Sequence, residues 1–586
     1  MIKRLVIHKH APLLLALLGM LLALPSVWTG WQQDDLTLRF FLLDYRDLEG
    51  KTTSPFDIFA FLNGDPQRTR KMMDIGLLPW WTWEDIRLSF WRPLSGVSHW
   101  VDYVLWPDSA ALMHLQNLFW YGSLILVAAA LYRRFLGMPW VVGLATLLFA
   151  IDDAHGLPAG WISNRNALIS ALFGMLALLV HERWRRGNWK PGAFLGPALL
   201  LVGLLSGEFA LGVIGYLLAF QVFLDSGSFR QRLLTFLPYA FMAGLWLVFY
   251  NMSGYGTEGS AFYVNPMSEP LAFAKAFIRR APLLLADQLA LPPSSIVLFL
   301  PSGVVSVFWV WALALLAILL IVSTPLIRRD RMARFWALGM ILSLPPVCAT
   351  MPHSRLLLLV GLGGMGLVAQ WFVAFKERAS WLPNAPAWQS LARIVLITGF
   401  VAHMIVAPIL LPLNAVSPAS AEPFIQHAVR SAPVGPELPG QDLVIVNPPN
   451  VYYAHFFSTV RAINNAPVPR HLRVLAPGSA QLYIARPDER TLAIRPEGGF
   501  LAFPFDNVVR SDAYPLRLHD QISLTNMTVE ITALTEDGRP AEARFRFSRS
   551  LESESFKWLQ WKDGKYIHFD LPPAGEGIVL SAQQMF

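Results

Sequence analysis

The sequence is poor in charge. Asp, Glu, Lys and Arg make up 15% of its 586 residues, against 54% hydrophobic ones. A soluble domain carries about 25% charged residues, so this chain cannot cover a soluble surface of its length. Cysteine is nearly absent. Cys348 is the single one, which excludes a disulfide framework and any cysteine-based zinc site. No repeat of roughly 20–50 residues is present, which excludes a solenoid. Disorder and collagen-like repetition are excluded by the high apolar content. What the chain has is apolar runs, with a mean hydropathy of +0.43. The net charge of +7 sits mainly in short loops between those runs. That is the mark of membrane topology rather than of nucleic-acid binding.

A spanning helix needs about 20 mostly apolar residues, fewer where other helices surround it. The runs at 11–29, 111–131, 138–152, 165–181, 192–206, 209–224, 233–250, 301–323, 335–350, 355–375 and 391–413 predict about 11 transmembrane helices. The first could be read as a signal peptide, but its length and the spans that follow favour a retained helix. With the N-terminus inside, the inner loops collect Arg133 and Arg134, Arg183 to Lys190, Arg230 and Arg232, Arg328 to Arg334, and Lys376 and Arg378. This is the cytoplasmic enrichment of Lys and Arg. An odd number of spans then puts the C-terminus outside.

The expected organisation is a membrane domain over 1–413, whose first periplasmic loop covers 30–110, and a periplasmic domain over 414–586. In the tail, Pro, Gly and charge increase. Short alternating runs at Leu443–Val446, Leu472–Leu475, Leu482–Ala485, Ile522–Leu534 and Ala543–Phe547 read as antiparallel strands. The fold class is thus a polytopic α-helical membrane protein with a C-terminal extracytoplasmic β-rich domain. The tryptophans Trp80, Trp81 and Trp83 read as an interface belt or as helices lying on the membrane.

Several outer-side charges break the basic-inside pattern. Arg92, Arg165, Arg279, Arg280 and Arg355 are there, with Asp34, Asp35, Asp44, Asp47, Asp152 and Asp153. Charges near membrane depth are costly and usually face a cavity or a partner. Carboxylates and guanidinium groups around one outer cavity suit a phosphorylated lipid: arginine grips phosphate with forked donors, and a carboxylate removes a proton from an incoming hydroxyl or amine. Each residue also has a plainer reading. Asp34 and Asp35 follow the first span and can cap a helix. Arg92 can anchor at the interface beside Trp91. Arg165 can form a buried ion pair with Asp152 or Asp153, and Glu208 can cap the helix after it. His155 and His353 stand at outer helix edges, where a histidine either touches a phosphate or is merely structural. The acidic pair can also hold Mg²⁺ or Mn²⁺, although no fuller ligand set is visible.

Local sequence adds a resemblance. Phe90-Trp91-Arg92-Pro93-Leu94 precedes Ser98, His99, Trp100, Asp102, Leu105 and Trp106, then Ala111, His114, Gln116, Asn117 and Leu118. This resembles the Arg-Pro-Leu segment, with its downstream His and Asn, of the tetratricopeptide-containing O-mannosyltransferase-like membrane proteins. Trp161-Ile162-Ser163-Asn164-Arg165-Asn166-Ala167-Leu168 is similar to that family's Trp-Ile-x-x-Arg-x-x-Leu loop. Ser206-Gly207-Glu208 is similar to its Ser/Cys-Lys-Glu element, with Gly207 in place of Lys. His353-Ser354-Arg355 falls where the family has an outer segment entering a late span. No tetratricopeptide repeats follow.

The resemblance implies the GT-C superfamily of glycosyltransferases. It implies a sugar donor carried on polyprenyl phosphate, an extracytoplasmic acceptor (glycan, lipid or protein) and an acidic catalytic residue just after the first helix, at Asp34 or Asp35. Arg92, Arg165 and Arg355 are then the expected donor-phosphate ligands, with Glu208, His155 and His353 in support. The expected location is a bacterial inner membrane. Two alternatives are a non-catalytic component of envelope glycan assembly and a transporter of lipid-linked glycan. Sugar, acceptor and metal are not legible.

Overall fold

A computed structural model of the chain describes residues 6–43 and 53–583. Asp44 and Asp47 lie outside these residues. All eleven apolar runs contain helix. Among the described residues, seven helices are long and apolar enough to cross a membrane: Ala11–Trp28, Ala110–Phe135, Ile162–Gly187, Phe229–Met252, Gly303–Arg329, Leu358–Lys376 and Pro386–Ser431. Pro139–Ala150 and Asp153–Gly160, bent by 45° at their junction, make an eighth if they count as one span. The other three runs are shorter. Gly192–Ser206 has 15 residues, which rise about 22 Å against a hydrocarbon core of about 30 Å. The run 335–350 is split into Arg331–Leu342 and Leu344–Val347, because Pro345 cannot donate to the preceding turn.

Helix ends follow local chemistry. Ser228 and Gln231 form a capping box before Phe229–Met252. Asp330 caps Arg331–Leu342. Basic residues close several helices, including Arg133 and Arg134, Arg185 and Arg186, Arg328 and Arg329, and Lys376, where they complement the helix dipole. Many of these basic ends gather. Arg134 pairs with Glu182 at 2.7 Å, Arg185 with Asp225 at 2.6 Å, and Lys376 lies over Trp140 at 5.2 Å.

The bundle core holds Tyr121, Tyr132, Phe149, Tyr216, Phe220 and Trp336, all fully buried. Each buried tyrosine needs an acceptor. Tyr121, Tyr132 and Tyr216 donate to the carbonyls of Ala150, Leu362 and Leu359. Gly156 and Gly160 allow the last long helix to pass at backbone contact, since a Cβ on either would strike Leu411 or Ala415.

The last long helix does not stop at residue 413. It runs over Pro386–Ser431, through a π-turn at Ala402–Val406, and the first tail strand begins at Asp442. The tail holds two sheets. One is antiparallel, in the order Gly577–Leu580, Leu482–Asp488, Thr491–Pro496, Pro540–Phe547, Met527–Leu534, Gln521–Leu524. The expected run Ile522–Leu534 is a hairpin within it, turning at Thr525 and Asn526. The other sheet departs from the antiparallel expectation. Asp442–Ile445 pairs in parallel with both His471–Val474 and Phe556–Lys562. Its central strand is buried along its whole length, the pattern of a strand covered on both faces. The helices Val451–Ala454 and Phe456–Ile463 form the crossover between the two parallel strands.

Trp80, Trp81 and Trp83 are not a membrane belt. Trp80 and Trp81 are 2% and 1% exposed and belong to the core of the tail. Their indole nitrogens donate to the carbonyls of Leu475 and Asp506. Trp83 stacks on Tyr514 at 3.7 Å. Asp74 of the same loop pairs with Arg473 at 3.0 Å and accepts from Thr525. The loop and the tail therefore share one core.

Candidate functional site: an acidic pair facing an unpaired arginine

The first span ends at Trp28, and the chain turns through Gln33 at φ +47°. Non-glycine residues rarely adopt this region, and strained backbone clusters at functional sites. The Gln33 amide donates to the Pro418 carbonyl at 3.0 Å. The turn opens the helix Asp34–Leu42, which begins with both aspartates.

Their environments differ. Asp35 is 1% exposed. Its Oδ2 accepts from the Gln32 amide at 3.0 Å, and its Oδ1 accepts from the Ser163 amide at 2.7 Å and from the Ser163 hydroxyl. Burial, helped by the charge of the nearby Asp34, pushes its carboxyl up to about 7 against the pull of those donors. Asp34 is half-buried. Its Oδ1 accepts from the Tyr452 hydroxyl at 3.1 Å, and its Oδ2 has no hydrogen-bond partner among the described residues. Burial raises its carboxyl, opposed by Tyr452 and then by the charge of Arg355.

Tyr452 belongs to the tail. It follows the central parallel strand, in the helix Val451–Ala454, which Asn450 caps. Tyr453, Phe456 and Phe505 hold its ring at 5.5, 5.5 and 6.2 Å. The tail thus reaches 418 positions back along the chain to complete the acidic site.

Arg355 precedes the span Leu358–Lys376. Its guanidinium lies over the Trp161 ring at 5.5 Å, and Trp161 donates to the Gln32 carbonyl at 3.3 Å. Among the described residues its side chain has no carboxylate or hydrogen-bond partner. Its own amide donates to His353 Nδ1 at 3.2 Å. Burial and the Arg355 charge push His353 down to about 3, so its ring is neutral at physiological pH.

The other predicted residues are placed differently. Arg165 is fully buried. It pairs with Asp102 at 2.6 Å, and donates to Asn117 at 2.5 Å, to the Ser98 hydroxyl at 3.0 Å and to the Met113 carbonyl at 2.9 Å. Such a guanidinium has no face left for a phosphate. The ion-pair alternative also changes partner, from Asp152 or Asp153 to Asp102. Asp152 and Asp153 accept instead from Gln288 and Asn414. Arg92 pairs with Glu208 at 2.8 Å, and its guanidinium lies over Phe90 at 4.4 Å. Glu208 also accepts from Tyr250 at 3.3 Å. Both are therefore tied to each other. His155 is buried against Phe149 and Tyr121. The structure brings together Asp34, Asp35, Arg355 and His353, and leaves Arg92, Glu208, Arg165 and His155 in their own contacts.

The quoted sequence segments build the frame of this site. His114 contacts the Gly30 carbonyl at 2.9 Å, and Asn117 donates to the Trp161 carbonyl at 2.9 Å. Asp102, Asn117 and Arg165 hold the Trp161–Arg165 loop, from which Ser163 grips Asp35 and Trp161 backs Arg355. Sequence reasoning missed Ser163 and Asp102 as partners, although both stand in those segments. It missed Tyr452 because no local signal links it to Asp34. Both Asp35 oxygens are taken, and no cluster of three or more His, Cys, Asp or Glu suited to a metal occurs among the described residues.

No family model matches the chain, and no curated protein does. Among solved structures it is similar to the oligosaccharyltransferase of Archaeoglobus fulgidus tethered to an acceptor peptide containing the NVT sequon. The TM-score is 0.36 and the identity 12%, over 80% of this chain and 64% of that one. The same organism's AglB with an inhibitory peptide and a dolichol-phosphate gives a TM-score of 0.38 and 12% identity, over 77% and 64%. The apo form gives 0.36 and 12%, over 77% and 64%. The chain therefore spans less than two thirds of the length of these structures.

Proposed function

We propose that this chain is a membrane glycosyltransferase of the GT-C type, moving a sugar from a polyprenyl-phosphate or polyprenyl-diphosphate donor to an extracytoplasmic acceptor. The observation that carries the reading is a partly open carboxylate, Asp34, that feels the charge of an unpaired guanidinium, Arg355, without an ion pair between them, beside the ends of apolar helices. The resemblance of the segments around Arg92 and Arg165 to O-mannosyltransferase-like proteins supports it. The bundle end that holds the pair, and the tail above it, are then extracytoplasmic; in a bacterium this is the periplasmic face of the inner membrane.

Asp34 acts as general base through its free Oδ2. The acceptor hydroxyl or amine attacks the anomeric carbon and gives its proton to Asp34. The bond between that carbon and the phosphate oxygen breaks, and its electron pair leaves with the polyprenyl phosphate. Arg355 stabilises the charge that develops there. The Trp161 ring holds the guanidinium in place, Asp35 fixes the start of the helix, and Tyr452 orients the Asp34 carboxylate. No step is routed through a metal.

The test is donor turnover by the purified protein in lipid nanodiscs, with polyprenyl-phosphate sugars labelled in the sugar. Release of labelled sugar or transfer to an acceptor is expected from the natural sequence and not from Asp34→Asn. Equal turnover by Asp34→Asn and Arg355→Ala refutes the assignment.

A further inference from the structure

Arg279 and Arg280 stand on a helix that the acidic site does not use. It covers Pro270–Leu289, between Phe229–Met252 and the span Gly303–Arg329. Its 20 residues could cross a bilayer by length, but its contacts keep it at one end of the bundle. Just before it, the Val264 amide donates to the Ala349 carbonyl at 2.8 Å. Arg280 donates to the Cys348 carbonyl at 3.0 Å, Asp287 accepts from the Ser354 hydroxyl at 2.9 Å, and Gln288 donates to Asp152 at 2.8 Å. Cys348 and Asp152 come just after bundle helices that end at Val347 and Ala150, and Ser354 is next to Arg355. From Arg280 to Gln288 the helix axis advances about 12 Å, yet its partners all stand at helix ends. The helix therefore lies along the acidic-site end of the bundle rather than through it.

Its two sides differ. Leu284 is buried with Leu356 and Leu357, and Arg280 and Gln288 share its side. The other side is open. Leu271 is 80% exposed and Ile278 61%, and Lys275 and Arg279 are exposed as well. Residues three and four apart are neighbours on a helix surface, so these four form one face. Neither cation has an ion-pair or hydrogen-bond partner among the described residues. From Pro270 to Ala286 the helix carries Lys275, Arg279 and Arg280 and no carboxylate. The open face adjoins a lipid-facing surface. The Ile278 carbonyl accepts from the Trp309 indole at 3.2 Å, and Trp309 belongs to the span Gly303–Arg329, whose apolar surface is nearly all exposed.

A helix laid along a bundle end, apolar and cationic on its open side, is built for the membrane interface. Leu271 and Ile278 reach the acyl boundary, and the long stems of Lys275 and Arg279 carry their charges up to the headgroups. Cations without a neighbouring carboxylate favour anionic headgroups over zwitterionic ones. We propose that Pro270–Leu289 lies on the leaflet at the acidic-site end and binds anionic phospholipid headgroups through Lys275 and Arg279. Through Asp287 and Ser354 the same helix abuts the turn that carries Arg355. The proposal rests on the membrane character of the chain and not on the transferase reading.

The experiment attaches a fluorophore to Ile278→Cys, and separately to Leu271→Cys, in the full chain. Cys348 is buried, and the unchanged chain serves as the labelling blank. The protein is held in nanodiscs of phosphatidylcholine mixed with phosphatidylglycerol, with bromine on the upper acyl chain of one lipid or the other. Bromine quenches on contact, and no sugar donor is present. Both positions are expected to be quenched alike, and more by brominated phosphatidylglycerol than by brominated phosphatidylcholine at equal fraction. Each basic residue at an anionic surface gives about a fivefold preference, so two give an excess of up to roughly 30-fold. Lys275→Gln with Arg279→Gln should remove that excess and leave the quenching itself. No quenching by either lipid overturns the proposal and gives the face to water or to a partner protein. Quenching at only one of the two positions overturns it too, because the helix then crosses the leaflet. Equal quenching by the two lipids, or an excess that survives the double variant, overturns headgroup binding.

Discussion

Arg165 and Arg355 invite comparison. Both belong to the same end of the bundle and both begin a helix or the turn before one. Arg165 is enclosed, with Asp102, Asn117, Ser98 and Met113 around it. Arg355 has an aromatic ring behind it and no hydrogen-bonding partner among the described residues. A buried cation must be paired, so Arg165 is part of the frame. A half-buried, unpaired cation such as Arg355 keeps donors for something that arrives. The position of an arginine in the chain says that it is near the site; its partners say whether it is available.

Substitutions can break this contrast. The largest effect is expected at Asp34, the carboxylate that the charge of Arg355 stabilises. Asp34→Asn should lower turnover by about 10²–10⁴, measured with labelled donor. Next comes the frame. Arg165→Ala leaves Asp102 buried and alone, a loss of about 3–5 kcal/mol, read as a lower melting temperature and a lower folded yield. Arg355→Ala should do the reverse of this, lowering turnover by about 10²–10³ with the melting temperature unchanged. Equal melting losses in the two variants would erase the distinction between them.

The smallest effect sharpens the comparison. The Tyr452 hydroxyl stabilises the Asp34 carboxylate and so lowers its pKa, while burial raises it. Removing the hydroxyl leaves burial less opposed. Tyr452→Phe should move the acidic limb of the pH–rate profile to higher pH, by roughly 0.5–1 unit for one hydrogen bond. Arg355 and Asp35, which also act on Asp34, are unchanged in that variant. A profile that stays in place would deny Tyr452 its part in the site.

Much of this was legible before the structure. Apolar run length located every helix long and apolar enough to cross a membrane among the described residues, because bilayer thickness dictates it; the 20-residue helix Pro270–Leu289 was not among the runs. Asp34 and Asp35 were marked by place, just beyond the first span. Other features depend on long-range contacts. The strand Asp442–Ile445 is covered on both faces, so it lacks the alternation that separates sheet faces, and its parallel partners were not visible. Trp80 and Trp81 have the composition of an interface belt, yet the tail buries them. Asp102 and Arg165 are 63 positions apart, and nothing local pairs them. Tyr452 is further still from Asp34.

The helix run Pro386–Ser431 has a consequence for how the tail is held. Forty-six residues rise about 70 Å, more than twice the hydrocarbon thickness of about 30 Å. The run is therefore a strut as well as an anchor, rooted in lipid at one end and carrying the tail at the other. The Pro418 carbonyl of this run accepts from Gln33, next to Asp34, so the run that carries the tail also fixes where Tyr452 meets Asp34.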